Sequence, residues 1–286
     1  MTDTLATLTV VEPGPFTTVQ DSGRPGQGSL GIGRSGACDR ASYQLANRLV
    51  GNPNGAAALE VTLGGLVVRA EGDLWVAVTG APCPGVPLNS PVLLRRGEQW
   101  RFGVPSVGAR SYLAVRGGID VHPVLGSRST DVLARLGPDP LSVGDRLPIG
   151  TSTDAMPGVD VAAVPAPTGD ELRVQVLPGP RRDWFSDDAW LSLLDQRYTV
   201  TPDSNRVGLR LDGIPLERTN NGELISEGMM RGALQIPPSG TPVLFLADHP
   251  VTGGYPVIGY VADHDVDRCG QLQVGQGLRF TTRPSR

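Results

Sequence analysis

The sequence predicts a mainly β protein, built as two related β units with a few short helices, and three observations carry that expectation. First, 38 glycines and 26 prolines in 286 residues punctuate the chain about every 8 to 12 residues, the spacing of short strands. Second, the segments between them alternate: Leu74, Val76 and Val78 share one face, and Leu172, Val174 and Val176 share another, with Arg173 and Gln175 opposite. Third, helical periodicity is confined to two stretches. Along the chain, Leu8 to Pro15 is a strand running into Pro13-Gly14-Pro15. Residues 38–50 form the first helix, with Ala41, Leu45, Ala46 and Leu49 on one stripe, Ser35 or Asp39 to cap the start and Gly51 to stop it. Strand patterns follow at Ala58 to Gly65 and at Gly97 to Phe102. Residues 151–170, rich in Thr, Ala, Pro and Gly, read as a linker or loose excursion. Beyond it the order repeats: a strand into Pro178-Gly179-Pro180, a helix over 187–197 with Trp190, Leu191 and Leu194 behind Asp187-Asp188, a strand at Val207 to Gly213, and a closing piece from Gly275 to Phe280. Val243 to Ala247 is a near-continuous apolar run suited to a buried strand. The expected division is an N-terminal unit over 1–150, a linker over 151–170 and a C-terminal unit over 171–286.

Composition removes whole classes of chemistry. All 25 basic residues are arginine. Without lysine there is no Schiff base, no biotinyl-lysine and no P-loop ending in Gly-Lys-Ser/Thr. Arginine's planar fork suits carboxylates and phosphates, so an anionic small substrate fits the chain. A net charge of −4 argues against nucleic acid as a partner. No run reaches the roughly 18 apolar residues of a membrane span, and the first ten residues lack the basic and apolar regions of a leader, so a soluble cytoplasmic protein is expected. Cys38, Cys83 and Cys269 are widely separated, a spacing that suggests neither disulfides nor zinc, and no metal site is expected.

Gly26-x-Gly28-x-x-Gly31 and the overlapping Gly31-x-Gly33-x-x-Gly36 match the dinucleotide fingerprint, but no βαβ pattern follows them. What remains is a loop that offers N–H groups to an anion at the first turn of helix 38–50, or a plain tight turn into it. Cys38 in that turn is either an activated thiol, with His122, His249 or His264 to be brought near it, or a small buried residue. Asp248-His249 closes an apolar strand and precedes Thr252-Gly253-Gly254-Tyr255. That is the strongest candidate for chemistry, because a strand end holds side chains rigidly and paired glycines let backbone approach a ligand. Asn205-Arg206, Ser226-Glu227-Gly228 and Gln235 add an amide, a guanidinium, a carboxylate and a second amide, a set able to grip a small amide or carboxylate. Asp263 to Asp267 reads as a solvated acidic turn.

Taken together, Thr17 to Asp21 with Gly23-Arg24, Ser35-Gly36-Ala37-Cys38-Asp39, Leu45 to Asn52, Ala58-Leu59-Glu60, Tyr112 to Val115 with Gly117-Gly118-Ile119, Val124 to Thr130, and Ser226 through Pro256 resemble the KipA family. That family includes the C subunit of prokaryotic 5-oxoprolinase, allophanate hydrolase subunit 2 and half of the urea carboxylase carboxyltransferase domain. The resemblance runs from about residue 8 to residue 280. It implies a cyclophilin-like β-barrel architecture and a KipI-like partner protein. In the 5-oxoprolinase version it also implies a third component of the LamB/YcsF type, with ATP bound somewhere in the complex. It implies three activities: opening of the 5-oxo-L-proline lactam to L-glutamate, carboxyl transfer from carboxybiotin to urea or another small amide, or non-catalytic antagonism of a KipI-like kinase inhibitor. Biotin enters only under the second. For the lactam reaction, Arg206 or Arg24 would hold the substrate carboxylate. Glu227 or Asp248, with His249 beside it, would manage a proton or place water. Asn205, Gln235, Gly253, Gly254 and Tyr255 would line the pocket. The sequence departs from the family pattern at Cys38, where methionine is usual, and at His249-Pro250-Val251.

Overall fold

A computed structural model describes residues 6–220 and 222–283. The chain is mainly β, as expected, and divides into two units. The first runs to Arg24, resumes over Ser35–Asp131 and ends with Arg135–Pro167; the second gathers Pro25–Arg34, Val132–Ala134 and the chain from Thr168 onward. Two short segments of the N-terminal half therefore belong to the second unit, which no compositional shift announces. The expected linker is also largely part of unit 1. Its Pro- and Ala-rich backbone is irregular but tied down: Asp154 N–H donates to the Gly51 carbonyl (2.8 Å) and Ala162 N–H to that of Asn89 (2.8 Å).

Unit 1 contains β1 (Thr7–Pro13), β2 (Phe16–Gln20), α1 (Arg40–Leu49), β3 (Ala58–Thr62), β4 (Leu66–Ala70), β5 (Leu74–Gly80), β6 (Pro91–Leu94), β7 (Gln99–Arg101), β8 (Arg110–Val115) and β9 (Arg146–Pro148). They form one sheet in the order β7-β4-β1-β9 and another in the order β2-β3-β8-β5-β6. Leu8, Val10 and Val68 of the first pack with Val61, Val76 and Leu113 of the second. Tyr43, Ala46 and Leu49 of α1 cover Ala58, Ala77, Tyr112 and Ala114. Strand β8 is consequently buried along its whole length, since both of its faces are covered.

Asp39 caps α1, its Oδ1 accepting from Ser42 N–H at 2.9 Å. The buried stripe is Tyr43, Ala46, Asn47 and Leu49, whereas Ala41 is exposed and Leu45 half-buried. The stripe is rotated because Asn47 is satisfied inside: its Nδ2 donates to the Ala56 carbonyl at 3.0 Å and its Oδ1 accepts from Asn52 at 2.8 Å. Two motifs more than a hundred residues apart meet at Asp21, whose Oδ1 accepts from the hydroxyls of Ser127 and Ser129, both at 2.6 Å.

Unit 2 contains β10 (Leu172–Pro178), α2 (Asp187–Asp195), β11 (Tyr198–Val200), β12 (Gly208–Asp212), β13 (Glu227–Gly228), β14 (Ala233–Gln235), β15 (Val243–Phe245), β16 (Thr252–Gly253), β17 (Val257–Val261), α3 (Asp263–Cys269) and β18 (Gly277–Thr281). Seven strands close into a barrel in the order β10-β17-β14-β15-β12-β11-β18, and β13 with β16 makes a separate two-stranded ribbon. Leu172, Val174 and Val176 alternate as read from the sequence, but α2 buries Ala189 and Leu193 while Leu191 is 59% exposed. The acidic run 263–267 is a helix rather than a solvated turn. Asp265 is fully buried and accepts from Gln175 N–H (2.7 Å) and Arg268 (2.8 Å), and Arg231 pairs with Asp263 and Asp267. The two units have different topologies. β7 pairs with β4, whereas β18, its counterpart by sequence, pairs directly with β10. No helix among the described residues is long and apolar enough to cross a membrane.

Candidate functional site

The run from Val243 to Ala247 carries Asp248 to the barrel end. There the β12–β15 ladder extends by two further bonds, Leu246 N–H to the Val207 carbonyl (2.9 Å) and Asp248 N–H to that of Arg206 (3.1 Å). This register sets the two charged side chains side by side. Arg206 Nε and Nη2 donate to Asp248 Oδ2 and Oδ1, each at 3.0 Å, with the arginine side chain 2% exposed and the carboxylate 0%. Val132 N–H adds a bond to Oδ2 at 3.1 Å. Arg206 and Asp248 are therefore buried against each other, and a substrate carboxylate would have to compete with Asp248 for Arg206. Arg24, in unit 1, is equally enclosed: it pairs with Asp131 at 3.5 Å and donates to the Ser129 carbonyl. Asn205 is exposed, and its Oδ1 accepts from Val207 N–H at 2.8 Å, which makes it a turn former.

The remaining residues gather around the β13–β16 ribbon, where Glu227 and Gly253 are register partners. Gln235, buried on β14, donates from Nε2 to the Tyr255 carbonyl at 3.2 Å. A Cβ on Gly253 would lie 2.6 Å from that Nε2 and 3.3 Å from Met229, so any larger residue there would have to push the Gln235 amide aside. Gly254 and Tyr255 are exposed, and a Cβ on Gly254 would have no neighbour closer than 3.8 Å. His249 sits beside them in sequence. Its Nδ1 lies 2.9 Å from the Pro250 carbonyl, a hydrogen bond that requires the proton on Nδ1, and its ring is 6.4 Å from that of Phe245.

Two arginines that sequence reasoning missed complete this cluster. Arg181, just after Pro178-Gly179-Pro180, grips Glu227 with both arms of its fork. That hydrogen bonding holds the Glu227 carboxyl below the usual carboxylate range. Arg218 stacks over the Tyr255 ring with its guanidinium carbon 5.9 Å from the centroid. The two clusters are thus the buried Arg206–Asp248 pair and a half-open group of Glu227, Arg181, Gln235, Gly253, Gly254, Tyr255 and Arg218. The first is built to hold shape. The second presents a partly exposed carboxylate and guanidinium groups to solvent.

The start of α1 does meet an anion, and it is internal. Cys38 N–H donates to Glu60 Oε2 at 2.9 Å, Asp39 N–H donates to the Tyr112 hydroxyl at 2.8 Å, and that hydroxyl donates to the same Oε2 at 2.7 Å. Glu60 is 1% exposed and lies 3.5 Å from Arg110. The glycine fingerprint itself is a single 3₁₀ turn over Gly28–Leu30, closed by Gly31 at φ 74°. Cys38, Cys83 and Cys269 are all buried and outside any disulfide, and burial pushes the Cys83 and Cys269 thiols up from their ordinary pKa. The folded protein is expected to resist labelling by a bulky disulfide reagent at pH 8 and to release three thiols on denaturation; rapid labelling of Cys38 in the native state would show it to be accessible after all. Among the described residues no group of three or more His, Cys, Asp or Glu side chains could hold a metal ion.

Fold and site together define a mainly β protein with a closed seven-strand barrel and a polar ribbon at its second unit. The chain belongs to the family described as carboxyltransferase domain, subdomain A and B, whose model matches residues 30–282. It is 39% identical over 283 residues to the 5-oxoprolinase C subunit of Escherichia coli, covering 96% of this chain and 90% of that protein. The protein of the same name from Haemophilus influenzae is 32% identical, at 92% and 87% coverage. The urea amidolyase of Lachancea kluyveri is also 32% identical, but the 95% of this chain that aligns spans only 16% of that protein. Among solved structures, TTHA0988 superposes with a TM-score of 0.87 at 38% identity, over 97% of this chain and 56% of that one. The K. lactis urea amidolyase gives 0.88 at 29% identity, over 96% and 18%. The chain thus spans about half of the first of these structures and less than a fifth of the second.

Proposed function

We propose that this chain is the C subunit of an ATP-dependent 5-oxoprolinase and works with a KipI-like protein and a LamB/YcsF-type protein to open 5-oxo-L-proline to L-glutamate. The observation that carries the reading is the two-way coverage: relatives named as the C subunit of 5-oxoprolinase match nearly end to end, whereas the amidolyases match over a small part of their length. Resonance across the lactam C–N bond makes water a poor attacker, so ATP is needed to phosphorylate the amide oxygen and expose the carbon. With no lysine in the chain, a P-loop for that ATP belongs to another protein of the complex or takes another form.

The ribbon cluster suits the part of the reaction that needs orientation. A general base works best with a pKa near the working pH. Glu227, pulled below the usual range by Arg181, is therefore a weak proton carrier and a good acceptor for orienting an attacking water. Asp248, buried against Arg206, holds the barrel end from which His249 and the ribbon project. On this reading neither Arg206 nor Arg24 is given the substrate, since each is buried against an aspartate.

A second reading, carboxyl transfer to urea or another small amide, is supported by the family description and by the urea amidolyase relatives. It requires biotin on a separate carrier. One experiment separates the two. The chain is combined with the KipI-like and LamB/YcsF-type proteins, and with a biotin carboxylase and carrier, and glutamate release and urea carboxylation are measured side by side. Glutamate formation that needs ATP and this chain is expected; urea carboxylation without it would replace the first reading by the second.

A further inference from the structure

Among the described residues of unit 2, every buried or half-buried arginine but one is matched to an acid. Arg181 pairs with Glu227, Arg182 with Asp187, Arg206 with Asp248, Arg231 with Asp263 and Asp267, and Arg279 with Glu171. Arg218 is half-buried and, among the described residues, has no carboxylate partner. Its protein acceptor is the Ile236 carbonyl, reached by Nη2, which leaves Nε and Nη1 without one among the described residues. Burial lowers its pKa, the sign of a cation that has lost water without gaining a counter-ion.

Arg218 is also held in place. Its backbone bridges to Phe185, and the next residue, Thr219, donates from N–H to the Trp184 carbonyl at 2.9 Å. The Tyr255 ring lies under its guanidinium. Tyr255 is joined through its carbonyl to Gln235, and Gln235 is packed against Gly253 opposite Glu227. Gly254, exposed and with no atom closer than 3.8 Å to where a Cβ would lie, is the residue next to Tyr255. A fixed, partly desolvated and unmatched guanidinium beside the exposed Gly254–Tyr255 loop is what an anion subsite requires before its ligand arrives.

We propose that Arg218, backed by Tyr255, is the subsite for the carboxylate of a small amide substrate, and that it orients the amide toward the Glu227–Gly253 ribbon. The inference rests on the 5-oxoprolinase reading for the identity of that carboxylate; the subsite itself rests on the arginine's geometry. A charge-assisted bond of this kind is expected to change apparent affinity by about tenfold or more.

The test has two arms. In the first, the purified full chain is titrated with 5-oxo-L-proline and with pyrrolidin-2-one, the same lactam without its carboxylate, while the side-chain Nε–H signal of Arg218, assigned by its loss in Arg218→Lys, is followed by NMR. The acid is expected to move the signal and the neutral lactam to leave it in place. No movement with either, or equal movement with both, overturns the subsite whether or not the chain has lactam activity. In the second arm, the reconstituted complex is assayed with Arg218→Lys and Arg218→Gln. A KM for 5-oxo-L-proline raised about tenfold or more with kcat within about twofold, and partial rescue in the lysine variant, support the subsite. An unchanged KM in an active complex overturns the subsite while leaving the 5-oxoprolinase reading intact. A wild-type complex that makes no glutamate removes that reading, and the NMR arm then decides the subsite alone.

Discussion

Asp248→Ala is expected to cost about 3–5 kcal/mol of folding stability, because it breaks a buried ion pair by removing one of its two members. Arg206 is 2% exposed and places two of its donors on Asp248 at 3.0 Å. The lost carboxylate also accepts from Val132 N–H, so a backbone donor is orphaned at the same stroke. In thermal unfolding this corresponds to a fall of roughly 10 °C. The double variant Arg206→Met with Asp248→Leu is expected to recover most of the loss, since apolar packing can replace a buried ion pair while half of one cannot stand. If the single variant melts within about 2 °C of the wild type, the pair is not the keystone its geometry indicates. Loss of activity in Asp248→Ala is therefore no evidence of a catalytic carboxylate unless the variant's fold is verified first.

Glu227→Gln is expected to lower kcat in the reconstituted complex by about a hundredfold while leaving the melting temperature nearly unchanged. The side chain is 28% exposed, so its ion pair adds little to stability, while misplacing an attacking water costs on that order. The pH profile carries a further sign. Hydrogen bonding from Arg181 keeps Glu227 ionised to lower pH than an ordinary glutamate with its pKa near 4.5. Arg181→Met removes that support, so the Glu227 carboxyl protonates at higher pH and the acid limb of the activity profile moves upward. An unmoved limb in an active Arg181→Met complex would show that Glu227 does not govern it.

The architecture was legible wherever local chemistry and tertiary packing agree. Asp39 and Gly51 bracket α1 as the capping pattern says, and the alternation of Leu172, Val174 and Val176 is that of β10. Sequence reading failed where a polar residue finds its partner far along the chain. Asn47 counts as surface by composition, yet it is buried because Asn52 and the Ala56 carbonyl satisfy it. Asp265 lies in a run of acids that suggests a wet turn, but Gln175 N–H and Arg268 draw it inside. At the site, the paired glycines and the strand end pointed to the ribbon. Arg181 and Arg218 left no such mark, since their roles depend on a carboxylate and a ring brought to them only by the barrel. Arg206 and Asp248 stand out in the sequence as charged residues, but sequence cannot tell a charge that faces a ligand from one that faces another charge, as these two do.

The ring closure of unit 2 bears on how a second protein could engage it. Each of the seven strands already has a neighbour on both sides, so among the described residues the barrel, unlike the β13–β16 ribbon, leaves no unpaired strand on which another chain could lay down an additional one. Any protein that docks on this barrel must read loops and side chains instead, and its specificity will then follow point substitutions on that surface rather than backbone pairing.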